Sequence, residues 1–126
     1  MGYSTDFSGA FNSDVEMSDE LVEVINAFSE MNHYGEDGKP DSRWCDFEVS
    51  KTQLYWNQSE KTRCYVEWLE YLVKHFFEPN GVKLSGVMNW QGDDEHDIGH
   101  IIMVNNAISV RESWDNEPKA RNNLKK

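Results

Sequence analysis

Between residues 60 and 78, Tyr65, Trp68, Leu69, Leu72, Val73 and Phe76 recur at i, i+3, i+4, i+7, i+8 and i+11, with Val66 and Phe77 widening the stripe. A helix brings those positions to one face, so this segment must bury a broad apolar side against another layer of structure. Pro79, Asn80 and Gly81 end it. A second helix is expected over about 19–32. Ser18 is placed to cap it, and Asp19 and Glu20 suit the positive end of its dipole. On the helical wheel Leu21, Val24, Ile25, Phe28 and Met31 gather on one side, and Asp19, Glu23, Asn26 and Glu30 on the other.

The rest of the chain alternates with period two. Tyr3, Phe7 and Phe11 share one face of a strand over 3–11. The runs 44–49 and 53–57 form a hairpin across Ser50, Lys51 and Thr52. Val82, Leu84, Met88 and Trp90 align on one face of a strand over 82–91, which leads through Gly92–Asp97 into 98–104. Asn105 and Asn106 then reverse the chain into 107–111. Residues 32–43, with Gly35, Gly38 and Pro40, read as a loop. The economical solution is a two-layer α+β domain over 1–114. Its antiparallel sheet has five to six strands, and two helices cover one face in the order β-α-β-β-α-β-β. A split, ferredoxin-like arrangement is one compatible topology. Residues 115–126, rich in Asn and Lys, are expected to be a mobile tail.

Charge narrows the partners. The chain has 126 residues, 23 Asp or Glu against 12 Lys or Arg, and a formal net charge of -11. Phosphate backbones and anionic lipid repel such a protein, so neither nucleic acid nor membrane is expected as a direct partner. With no long apolar run and no signal-peptide pattern at the N-terminus, an intracellular protein with reduced Cys45 and Cys64 is expected. The imbalance is uneven: residues 1–38 hold nine carboxylates and no Lys or Arg. Asp19, Glu23 and Glu30 form a stripe rising by roughly 6 and 10 Å, comparable with phosphate spacing along a nucleic-acid strand. Asp14, Glu16 and Glu20 extend it toward the preceding turn.

Few residues suggest catalysis. Asp93, Asp94, Glu95 and Asp97, with His96 and His100, superficially resemble a calcium loop, but Ile98 and Val104 stand where such a loop needs Gly and Glu. On a strand, His96 and His100 lie roughly 13 Å apart, too far to share a metal unaided. Cys64 and His75 sit roughly 16 Å apart along a helix axis, which rules out a nucleophile and base pair, whereas Cys45 with a distant histidine stays open. No serine elbow or phosphate-binding glycine loop is present. Neither an enzyme nor a cofactor or metal is expected. Trp90 is expected in the core, and Trp44 exposed, where it could anchor an interface.

The segments YSTDFSGAF (3–11), WC (44–45), YVEWLEYL (65–72), PNGVKLSG (79–86) and NWQGDD (89–94) resemble those of a family of small, uncharacterised acidic proteins of bacteriophages and prophages. The likeness covers most of residues 3–106, although Asp37–Arg43 is shorter than the family pattern. It implies a phage-encoded protein of the host cytoplasm and brings no catalytic residues with it. The expected function is non-enzymatic inhibition of a host protein or ribonucleoprotein complex, such as a CRISPR effector or another nucleic-acid-handling defence system. The protein would act as a monomer or homodimer through a nucleic-acid-mimicking surface of Asp14, Glu16, Asp19, Glu20, Glu23, Glu30, Glu36, Asp37, Asp93, Asp94 and Glu95. The rival is a small divalent-cation-dependent enzyme or cation-binding module built on Asp93–His100.

Overall fold

A computed structural model describes residues 4–33, 35–40, 44–58 and 64–112, and the backbone of 119–120. The chain runs β1 (Thr5–Ser13), α1 (Asp19–Ser29), β2 (Phe47–Val49), β3 (Gln53–Trp56), α2 (Tyr65–Leu72), β4 (Leu84–Gly92), β5 (Ile98–Val104), β6 (Ala107–Glu112) and β7 (Lys119–Ala120). All pairings are antiparallel, in the order β2-β3-β1-β4-β5-β6-β7. Thus β3 lies between β1 and β2, and β1 between β3 and β4, so each helix connects two strands separated by one other. This is the split arrangement, extended beyond β4 by a hairpin. Within the expected tail, Lys119–Ala120 pair with β6; the rest of that segment lies outside the described residues.

Alternation decides which side of the sheet is dry. Phe7 and Phe11 of β1, Leu84, Met88 and Trp90 of β4, Ile101 and Met103 of β5 and Val110 of β6 are buried. Together with Leu54, Phe47 and Val49 they join Leu21 and Ile25 of α1 and Trp68, Leu69 and Leu72 of α2 in one core cluster. Both helices therefore cover the same face. Trp90 stands opposite Gly99. A Cβ at Gly99 would fall on the indole ring and within 2.7 Å of the Arg111 carbonyl oxygen, so the missing side chain is what lets the ring lie across β5. Asn105 and Asn106 both have positive φ, as a two-residue hairpin turn requires.

Three local expectations change. First, α1 ends at Ser29, not at 32, so Met31 lies past the helix and is exposed; Val24, grouped with the apolar side on the wheel, is 52% exposed. Second, Cys64 is left-handed (φ 54°) and stands before α2, which runs from Tyr65; the expected start at 60–63 lies outside the described residues. Third, the helix widens into a π turn over Val73–Phe77 and tightens into a 3₁₀ turn over Glu78–Asn80. The extra residue in that turn rotates Phe77 into the core and leaves Phe76 beside Phe28, ring centroids 5.2 Å apart.

Candidate functional site

The helix that carries the acidic stripe is fixed along the free edge of the sheet. Val49 belongs to edge strand β2 and turns its N–H and C=O away from β3. The Val49 N–H donates to Asn26 Oδ1 at 2.8 Å, and Asn26 Nδ2 donates back to the Val49 carbonyl at 3.0 Å. One side-chain amide thus supplies both bonds that a further strand would make. One turn later, Ser29 Oγ donates to the Cys45 carbonyl. At the start, Ser18 Oγ accepts from the Leu21 N–H at 3.1 Å, the expected N-cap. Replacing Asn26 by alanine strands two partly buried backbone groups and is expected to cost about 2 kcal/mol. Urea unfolding checks this, and Asn26→Asp, which keeps the acceptor, is expected to lose less.

So anchored, α1 turns an acidic arc outward. Glu16, Glu20, Glu23 and Glu30 are exposed and have no ion-pair partner among the described residues. Glu20 and Glu23 are roughly 4.5 Å apart along the axis, and Glu23 and Glu30 roughly 10 Å. The other candidates nearby already serve the fold. Asp14 Oδ1 accepts from the Lys83 N–H at 2.9 Å, and Asp19 pairs with Lys51 at 3.2 Å. Beside the acids runs an apolar ridge: Val24 and Met31 are 52% and 54% exposed, with exposed Ala27 between them at the i+3 position. Trp44, next to the residue that Ser29 holds, is also exposed, as expected. Acids flanking spaced apolar anchors are the pattern of a helix that docks in a groove.

A strap closes the C-terminal end of α1. His33, buried, donates from Nε2 at 2.9 Å to the Phe28 carbonyl, which also accepts from the Met31 N–H at 3.2 Å, so side chain and backbone both tie down the end of the helix. Its ring lies 4.2 Å from that of Phe28. His33 Nδ1 lies 3.0 Å from Glu36 Oε1, which also takes Lys39 Nζ at 3.1 Å. Lys39 in turn sits 5.5 Å over the Tyr71 ring. The hydrogen bonds from His33 and then Lys39 hold the Glu36 carboxyl below its ordinary value of 4.5. Glu36 is therefore paired, whereas Asp37 is exposed. Because the folded carboxyl titrates below the unfolded one, its stabilising effect is complete above the unfolded value and disappears as pH falls through the folded one. Melting temperatures of the wild type and Glu36→Gln are expected to differ at pH 6 and to converge once the carboxyl is protonated.

The turn after β4 is held by its own acids. Asp93 Oδ2 accepts from the Ser4 N–H at 2.8 Å, Asp94 Oδ1 from the His96 N–H at 2.8 Å, and Asp97 Oδ1 from the Trp90 indole N–H at 2.9 Å. Three carboxylates thus serve three different donors. Exposed Glu95 lies 3.6 Å from His96. His100 points to the other side of the sheet, where its Nδ1 donates to Asn89 Oδ1. Among the described residues no three His, Cys, Asp or Glu side chains are grouped to hold a metal ion. Burial pushes the Cys45 thiol up to about 12, so it stays protonated and poorly nucleophilic at neutral pH. A shallow depression of about 220 Å³ on the sheet is lined by Asp6, Ser8, Asn89, Gln91 and Ile98, with Phe7 and Trp90.

No family model matches the chain, and neither a curated protein nor a solved structure matches it. Asn26 and His33 are the residues that sequence reasoning missed. Asn26 falls on the acidic face of the wheel and His33 in a polar loop, and neither has a spacing signal for a contact with β2 or with the helix end.

Proposed function

We propose that this protein is a non-enzymatic inhibitor that covers a basic, nucleic-acid-binding surface of a host complex with the outward face of α1. The observation that carries this reading is the row Glu20, Glu23 and Glu30, exposed and without ion-pair partners among the described residues, beside the ridge of Val24 and Met31. The acids attract a basic channel at long range, and the apolar ridge gives the docked state contacts that salt does not screen. The resemblance to phage proteins supports a host-cytoplasmic target, a CRISPR effector being one such complex. The cation-module reading of Asp93–His100 gains no support from a turn whose acids are divided among separate structural bonds.

Capture from host lysate on the immobilised protein tests the reading. The expected result is a nucleic-acid-handling complex that is retained at low salt and largely released by about 0.5 M, where screening acts within a few ångströms. Recovery only of proteins without a nucleic-acid site, or none, would contradict it.

A further inference from the structure

The seven large hydrophobic side chains exposed among the described residues fall into two groups. Val15, Val24, Met31 and Trp44 lie on α1 or beside it; Val87, Ile98 and Val104 lie on the sheet face away from the helices. Pairing registers put Ala10, Val87 and Ile102 in one row across β1, β4 and β5. Val104 and Ala107 pair in the next row. Two residues along in the other direction on the same face, Asn89, His100 and Arg111 form a polar row. Val87 is 45% exposed and Val104 58%, so none of the described residues covers this centre.

We propose that this face is the interface of a homodimer, two copies packing sheet to sheet about a two-fold axis. Two observations select a second copy as the occupant. Charge is the first. In a chain of net charge -11, the outward positions of β1 to β6 carry two acids, Asp6 and Glu48, one Arg, Arg111, and His100. Here the molecule can meet itself without the repulsion its helical side imposes. Area is the second. Six strands of three to nine residues give a face on the order of 600 Å² at the usual strand spacing and rise, near the roughly 800 Å² per partner of a standard interface. Ala10 and Ala107 keep the profile low, so the aliphatic rows of two copies can interdigitate as in a sandwich.

Sedimentation of the full chain across a range from about 1 to 200 μM tests this, the micromolar range expected of an interface at the small end of its class. The expected result is a rise to twice the chain mass that the pair Val87→Lys and Val104→Lys abolishes and the pair Val24→Lys and Met31→Lys does not. A single-chain mass throughout, or a dimer that survives lysines on the sheet with its circular dichroism intact, would overturn the proposal. Should the sheet variant not fold, methyl NMR of the wild type decides. Concentration-dependent shifts confined to Val87, Ile98, Ile102 and Val104 support the interface, and shifts at Val24 and Met31, or none, refute it.

Discussion

Reversing Glu20, Glu23 and Glu30 to lysine is expected to weaken binding to a basic partner by a factor on the order of 100 or more at low salt, since each reversal replaces an attraction by a repulsion. Folding is expected to be unaffected, because these side chains are exposed and make no ion pair among the described residues. The same reversal at Asp14 or Asp19 would test something else: Asp14 holds the Lys83 backbone, and Asp19 pairs with Lys51. The controls follow from the geometry. Glu95→Lys, in the turn after β4, is expected to change affinity little. Val24→Ser with Met31→Ser is expected to speed dissociation while leaving the salt dependence of association in place. Surface plasmon resonance at several salt concentrations separates the two effects.

Valine at position 99 is expected to cost about 3 kcal/mol or more. A side chain there must displace the Trp90 ring or the Arg111 carbonyl, and neither can yield alone. Trp90 is tied through its indole N–H to Asp97, at 2.9 Å, and packs on Tyr65 with centroids 5.7 Å apart. The Arg111 carbonyl belongs to the β5–β6 ladder. Chemical denaturation measures the loss, and a red shift of tryptophan emission reports the displaced indole. His100→Val, one residue on and facing the opposite side of the sheet, is expected to change stability by less than about 1 kcal/mol.

Much of this fold is legible because its elements advertise themselves locally. Ser18 stands where a cap must, Asn105 and Asn106 can take positive φ at a two-residue turn, and Leu84, Met88 and Trp90 alternate on a strand that buries one face. The split strand order was only one compatible topology, since periodicity sorts residues onto faces and says nothing about which strands become neighbours. The misplaced residues share a cause. Val24 and Met31 are apolar at helical spacing, but α1 sits at the sheet edge, so its buried arc is narrower than its apolar arc. Phe76 and Phe77 exchange roles because a π turn intervenes, and no periodicity signals one in advance. The acidic candidates divide for a similar reason. Composition shows how many carboxylates there are, whereas the three-dimensional arrangement shows that Asp14, Asp19, Glu36, Asp93 and Asp94 already have partners. That leaves Glu16, Glu20, Glu23, Glu30 and Asp37 as the outward charge around α1.

We propose that this outward charge occupies a site where a partner would bind nucleic acid. The most direct measurement is competition: the captured complex is loaded with fluorescently labelled nucleic acid and titrated with the protein while anisotropy is followed. The label is expected to be released in step with binding, and the Glu20, Glu23 and Glu30 reversal is expected to release none. A stable ternary complex, in which the protein binds at full occupancy while the nucleic acid stays in place, would contradict it.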